Sequence, residues 1–242
     1  MWTKLQVKYI TYILLCLFGT ISPYFVFKES VTVWDLIYGR FYGVSPLGGF
    51  TLLPYLFYVI VFLGIVYLFQ VHITEYLSSC FSYDAIRYRS LFRWFIKLGA
   101  KIGLIVIILL VILIMFTITV GIISGDSLAL KVTVQSDLEP TQVVYQFIIN
   151  GWLQVMNNVM LVFITAWLSK DISHSLIVLG LLVMAVLPVI NVGGWLPAGL
   201  NSMGYLNGSW AQLLRITGVL ATYIIIELGA VLILFRMKKT AF

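Results

Sequence analysis

Gln146, Asn150, Gln154 and Asn158 recur every four residues through an otherwise apolar run, with Asn157 beside them. On a helix that spacing lines the amides along one face. An amide neither titrates nor attacks, so its chemistry is hydrogen bonding. Such a face cannot meet lipid cheaply and needs another helix, a second copy or a wet path. Adhesion between helices is the plainer reading. Interhelical hydrogen bonds average only about 0.6 kcal/mol in one membrane protein, and four amides in register exceed what packing needs. The face is therefore the candidate translocation lining. Glu227 is the acidic residue within an apolar block. A charge at depth costs at least about 2.5 kcal/mol unless paired, wet or neutralised. Its roles are a proton site, a partner for a cation, or a helix-contact hydrogen bond. Arg215 lies twelve positions earlier, about 18 Å along a helix, too far to pair within one span.

A second constellation is basic. Arg89, Arg93, Lys97 and Lys101 also recur every four residues, forming a slowly drifting stripe. Leu91, Phe92, Phe95 and Ile96 fill the remaining surface, with Trp94 placed for the interface. The pattern predicts a helix lying on the inner leaflet and turning into the next span. Orientation and snorkelling account for it plainly. The functional reading is a helix presented to a cytoplasmic partner, with segment 74–86, carrying Glu75 and Asp84, as the contact.

Other chemistries find no foothold. There is no G-x-x-x-x-G-K-[ST] phosphate loop, no H-E-x-x-H and no G-x-S-x-G. His72 and His174 are isolated at membrane edges, so no metal site is expected. Cys16 and Cys80 have no metal or redox spacing. With no catalytic constellation to assemble, the chain reads as a non-enzyme carrying no cofactor of its own.

The elements that hold these residues follow from composition. The 242 residues are 62% apolar and 10% charged, with a mean hydropathy of +1.06. Soluble domains are about 25% charged. The apolar residues fall in blocks near the ~20 residues that cross a hydrocarbon core. Run 102–118 shows no alternation, so helices rather than barrel strands are expected. The predicted fold is an all-α, polytopic membrane protein of one domain, residues 1–242, with six spans at 9–27, 52–71, 102–123, 143–168, 176–192 and 213–235. Eleven of the fifteen Lys and Arg residues fall on the side holding both termini, which predicts N-in, C-in orientation. The net charge of +6 belongs to these inner loops, not to nucleic-acid binding. Segment 33–50, rich in Trp34, Tyr38, Phe41, Tyr42 and glycine, suits an interfacial or re-entrant piece. Gly99 and Gly103 form a GxxxG that favours close helix approach.

The six-span plan, the basic-aromatic Ile86-Arg-Tyr-Arg-Ser-Leu-Phe-Arg-Trp94 after the second span and Trp195-Leu-Pro-Ala-Gly-Leu-Asn-Ser-Met203 before the last resemble the ABC-2-type permeases of ATP-binding-cassette transporters. The likeness is to small Gram-positive permeases of bacteriocin or peptide export and immunity. It implies a separate cytoplasmic ATPase holding ATP and Mg, a second permease copy, and a peptide substrate in the cell membrane. It also implies a coupling helix between spans 2 and 3, with Glu75, Tyr83, Asp84, Arg87 and Arg89 at the ATPase contact. The first outer loop, 28–50, is longer and more aromatic than the resemblance leads one to expect. The alternatives are a membrane enzyme centred on Glu227 or a histidine, and a non-transporting immunity or scaffold protein.

Overall fold

The computed structural model describes residues 2–21, 32–46, 52–79, 90–169, 172–187, 189–191 and 193–237, with side chains left out at 2–9, 74–79 and 172–173. The described elements are helical: α1 (Trp2–Ile21), α2 (Val33–Arg40), α3 (52–79), α4 (Leu91–Ile123), α5 (Pro140–Ser169), α6 (Ile172–Ala185) and α7 (Trp210–Met237). They are joined by a 3-10 turn at Met203–Tyr205 and a bridge between Thr32 and Ser127. Four helices are long and apolar enough to cross a membrane, within α3, α4, α5 and α7. They fall on the expected spans 52–71, 102–123, 143–168 and 213–235.

Two expectations meet a different geometry. Block 176–192 does not stay helical to its end, because α6 stops at Ala185 after 14 residues. Fourteen residues reach about 21 Å, short of a ~30 Å hydrocarbon core. Pro188 lies just beyond; it lacks an N–H and pushes the residue before it out of helical geometry. The basic stretch also does not turn before its span. Arg93, Lys97 and Lys101 sit on the same unbroken 33-residue helix as the apolar block, about 50 Å long. Ser90 caps that helix, accepting from the Arg93 N–H at 3.4 Å.

Helix α5 is the axis of the bundle. Of its best apolar window 61% is buried within the chain, against 22% for α7. It packs on α3, α4, α6 and α7. Two aromatic clusters bracket its length. At one end Phe147 meets Phe41 at 4.5 Å, tilted, and Phe62 at 5.7 Å, edge-on. At the other, Phe163 and Trp167 meet Phe95 and Phe235 at 4.9 Å. Gly103 lets α5 approach α4: Trp152 donates to its carbonyl at 3.0 Å, and an added Cβ would lie 3.3 Å from that nitrogen. Gly99 has open space instead, so only half of the GxxxG pair is a contact. Across the other side, Gln70 donates to Ser175 at 2.8 Å and Tyr55 to the Val183 carbonyl at 2.9 Å, tying α3 to α6.

A cap closes the end of the bundle nearest Phe147. The short helix α2 begins on a capping box, in which Thr32 and Asp35 satisfy each other's backbone N–H groups. Seven of its eight residues are buried. The described residues of segment 186–209 form no α-helix and pack beside it. Met203 and Gly204 donate to the carbonyls of Phe41 and Tyr42 at 3.2 and 3.0 Å. That pairing needs glycine: a Cβ on Gly204 would come within 2.4 Å of the Val44 carbonyl oxygen.

Candidate polar core

The α5 amides acquire their geometry from a local change of helix pitch. At 3.6 residues per turn a side chain four positions on is rotated by about 40°, so the four amides would drift across the helix. Residues Gln146–Asn150 form a π-turn instead, which takes more residues per turn and cancels part of the drift. Asn150 consequently donates to the Gln146 side chain at 2.6 Å. A second π-turn, Val59–Leu63 in α3, packs against this helix and brings Phe62 to Phe147.

The first two amides have a partner at every side-chain nitrogen and oxygen. Gln146 donates to the carbonyls of Leu200 and Ser202 at 2.8 and 3.0 Å. Thr217 of α7 donates to the Asn150 oxygen at 2.7 Å, and the Tyr145 hydroxyl lies 3.3 Å from Thr217. The one Thr217 proton lies between Asn150 at 2.7 Å and the Leu213 carbonyl at 3.0 Å and is spent on these acceptors, so Tyr145 is the donor in its pair with Thr217. All the bonds then run one way, from Tyr145 through Thr217, Asn150 and Gln146 to the backbone of segment 198–205. Such chains polarise one another and are costly to break in part.

The same segment is held at other points. Gln142 donates to the Gly208 carbonyl at 2.9 Å and Gln212 to that of Tyr205 at 2.8 Å. Asn191 donates to the carbonyls of Leu196 and Ala198 and accepts from Leu196 N. Ser202 donates to the Tyr42 carbonyl and accepts from Val44 N at 2.8 Å. Tyr58 donates to the Asn201 oxygen. The irregular backbone of 186–209 thereby finds partners within the protein, which is the condition for such backbone at membrane depth.

Beyond Asn150 the pattern changes. Gln154 donates to Asn158 at a long 3.3 Å, and Asn157 donates to the carbonyls of Leu153 and Leu220 at 2.9 and 3.0 Å. The oxygens of Gln154 and Asn157 receive no hydrogen bond, although both residues are fully buried. Glu227 is 4% exposed and neither carboxyl oxygen has a hydrogen-bond partner. It shares the buried stripe of α7 with Leu213, Ile216, Leu220, Val231 and Phe235. The side-chain oxygens left open along this seam are acceptors.

Other sequence expectations divide. Arg93, Lys97 and Lys101 are exposed on α4, as a stripe should be. Trp94 is not interfacial: it is 3% exposed and packs 6.1 Å from Phe163, because on a helix it falls on the face that α5 covers. Glu75 lies in α3, with its side chain outside the described residues; Tyr83, Asp84, Arg87 and Arg89 lie outside them altogether. Among the described residues no three His, Cys, Asp or Glu side chains come together as metal ligands.

Asp35 was not singled out by the sequence, and it is the most densely bonded carboxylate described. It accepts from the backbone of Thr32, Thr133 and Val134 at 3.0, 2.7 and 3.0 Å, and from the hydroxyls of Thr32 and Thr133 at 2.8 and 2.5 Å. Burial works against its charge, but the bonds from Thr133, Val134 and Thr32 outweigh it and hold the carboxyl below its ordinary value. The Thr-x-x-Asp spacing was the available signal, since a capping residue three places after a threonine marks a helix start. The partner loop, a hundred residues away, left none.

No protein family, curated protein or solved structure matches this chain.

Proposed function

We propose that the chain is the membrane subunit of an ATP-binding-cassette transporter, exporting amphipathic or hydrophobic peptides across the cell membrane. The observation that carries this reading is the polar face of α5, enclosed in an apolar bundle and left with open acceptors at Gln154 and Asn157, with Glu227 of α7 likewise open. A purely structural helix has no need of buried oxygens without donors. A path for a substrate with amide and ammonium donors does. In this reading the six crossings are α1, α3, α4, α5, α6 and α7, with both termini cytoplasmic. Helix α1, 20 residues long, reaches about 30 Å. Helix α6 completes its crossing through the irregular segment that follows it.

Work enters at the other end of the bundle. A cytoplasmic ATPase, binding ATP and Mg, docks on residues 74–97 and moves the exposed basic start of α4. Because α4 is continuous from Leu91 to Ile123, a tilt at its basic end is delivered along its whole length. Its contacts with α5 at Gly103 and Phe95 pass that tilt to the seam between α5 and α7. A second permease, another copy of this chain or a different one, completes the transporter.

The test is co-purification. Replacing Tyr83 and Arg87 with alanine is expected to abolish retention of the ATPase while leaving the chain monodisperse in detergent. Full retention of the ATPase by that variant contradicts the docking site. A second reading, a non-transporting immunity or scaffold protein acting by binding alone, is favoured by one observation. The amides nearest the cap have a partner within the chain at every side-chain nitrogen and oxygen, as a static binding body requires.

A further inference from the structure

We propose that Glu227 is a proton-binding site in the core of the bundle, exchanging its proton with water when the seam between α5 and α7 opens. This goes beyond the transporter reading and needs only the membrane setting. The geometry narrows the ligand. Glu227 is buried on the stripe of α7 that faces α5, two helical turns past Leu220, whose carbonyl Asn157 holds. Beyond it lies the aromatic cluster of Phe163, Trp167 and Phe235.

Counter-charges are remote. Between Gly151 and Ser169 helix α5 contains no Asp, Glu, His, Lys, Arg, Cys or Tyr. Near its start it contributes only Tyr145, which is committed to Thr217. Helix α4, which also packs on α7, carries Arg93, Lys97 and Lys101, all exposed. On α7 itself Arg215 and Arg236 stand twelve and nine residues away, about 18 and 14 Å along the axis. Tyr223, one turn back, is half-buried and brings no positive charge.

An ionised carboxylate in this position would need a cation that the described residues do not place there. The open oxygens of Gln154 and Asn157 on the facing helix add two more acceptors and no positive charge. Open carboxyl and amide oxygens with no cation beside them take a donor, and the proton is the smallest that fits a closed interface. Anions and carboxylate-bearing ligands are disfavoured by the same oxygens.

The experiment uses the full chain in phosphatidylcholine nanodiscs, treated with dicyclohexylcarbodiimide across a pH series and mapped by peptide mass spectrometry. This apolar reagent enters the bilayer and adds to protonated carboxyls. The expected result is an adduct on Glu227 that is progressively lost as pH rises, unchanged by sodium or potassium chloride, and absent from Glu227→Gln. The Glu227→Asp variant, which keeps the carboxyl, should label. Should the Gln variant not fold, the pH and salt series on the unaltered chain decide alone. Absence of an adduct on Glu227 at every pH overturns the proposal. Protection by sodium or potassium at fixed pH overturns it too, and assigns the site to an alkali cation.

Discussion

Gln146 and Asn150, near the cap, and Gln154 and Asn157, one or two turns further along α5, are the same chemical groups on the same helix, all buried. Their surroundings differ. The first pair meets a non-helical segment whose carbonyls must be satisfied, and α7 supplies Thr217 as well. The second pair meets regular helices, whose backbone groups are already bonded to one another, and is left with oxygens that nothing reaches. Amides in a membrane core thus become structural where irregular backbone needs them and remain available where it does not. The spacing of four runs unbroken from Gln146 through Asn150 and Gln154 to Asn158, so it could not separate the two halves.

The contrast can be broken most forcefully at the cap. Asp35→Ala leaves the Thr133 and Val134 N–H groups without their acceptor and unpins the 124–139 loop from α2. Leaving buried donors unpaired costs about 1–3 kcal/mol each, so the expected loss is about 3 kcal/mol or more. A fall in the thermal midpoint in detergent micelles measures it. The same carboxylate gives a pH signature. Its folded value lies below its ordinary one, so its contribution is complete above about pH 4 and is lost as pH falls through the folded value. Asp35→Asn should flatten that acid limb.

Next in size is Gln146→Leu, which strips the Leu200 and Ser202 carbonyls of their donor and leaves Asn150 without its acceptor. A loss of about 2 kcal/mol is expected, with faster proteolysis within 186–209. Thr217→Val, isosteric and missing one donor to Asn150, should cost about 1 kcal/mol. Smallest is Gln154→Leu. It gives up a long bond to Asn158 and removes an unsatisfied oxygen, so stability should change by less than about 0.5 kcal/mol.

Much of this was legible in the sequence, for physical reasons. Helix α5 and the spans in α3, α4 and α7 announce themselves, because an apolar block of the right length has few alternatives to helix in lipid. The amide face and Glu227 stood out because polar groups in such blocks are conspicuous. What stayed hidden was long-range pairing. Nothing near Asp35 points to Thr133, and nothing near Gln146 points to Leu200. The π-turn at Gln146–Asn150 was equally silent, since its sequence reads as ordinary helix. Block 176–192 outruns its helix, because its apolar residues continue past the point where the helix ends at Ala185. Of those later residues the chain itself covers Val186, at 1% exposure, while Val189 and Ile190 stay exposed. Hydropathy records burial without saying whether lipid or protein provides it.

The most direct test of a divided α5 face is a side-by-side thermal unfolding of Gln146→Leu and Gln154→Leu in the same micelles. The predicted result is a clear drop in midpoint for the first variant and an unchanged midpoint for the second. Equal drops, or a larger one for Gln154→Leu, would contradict the division.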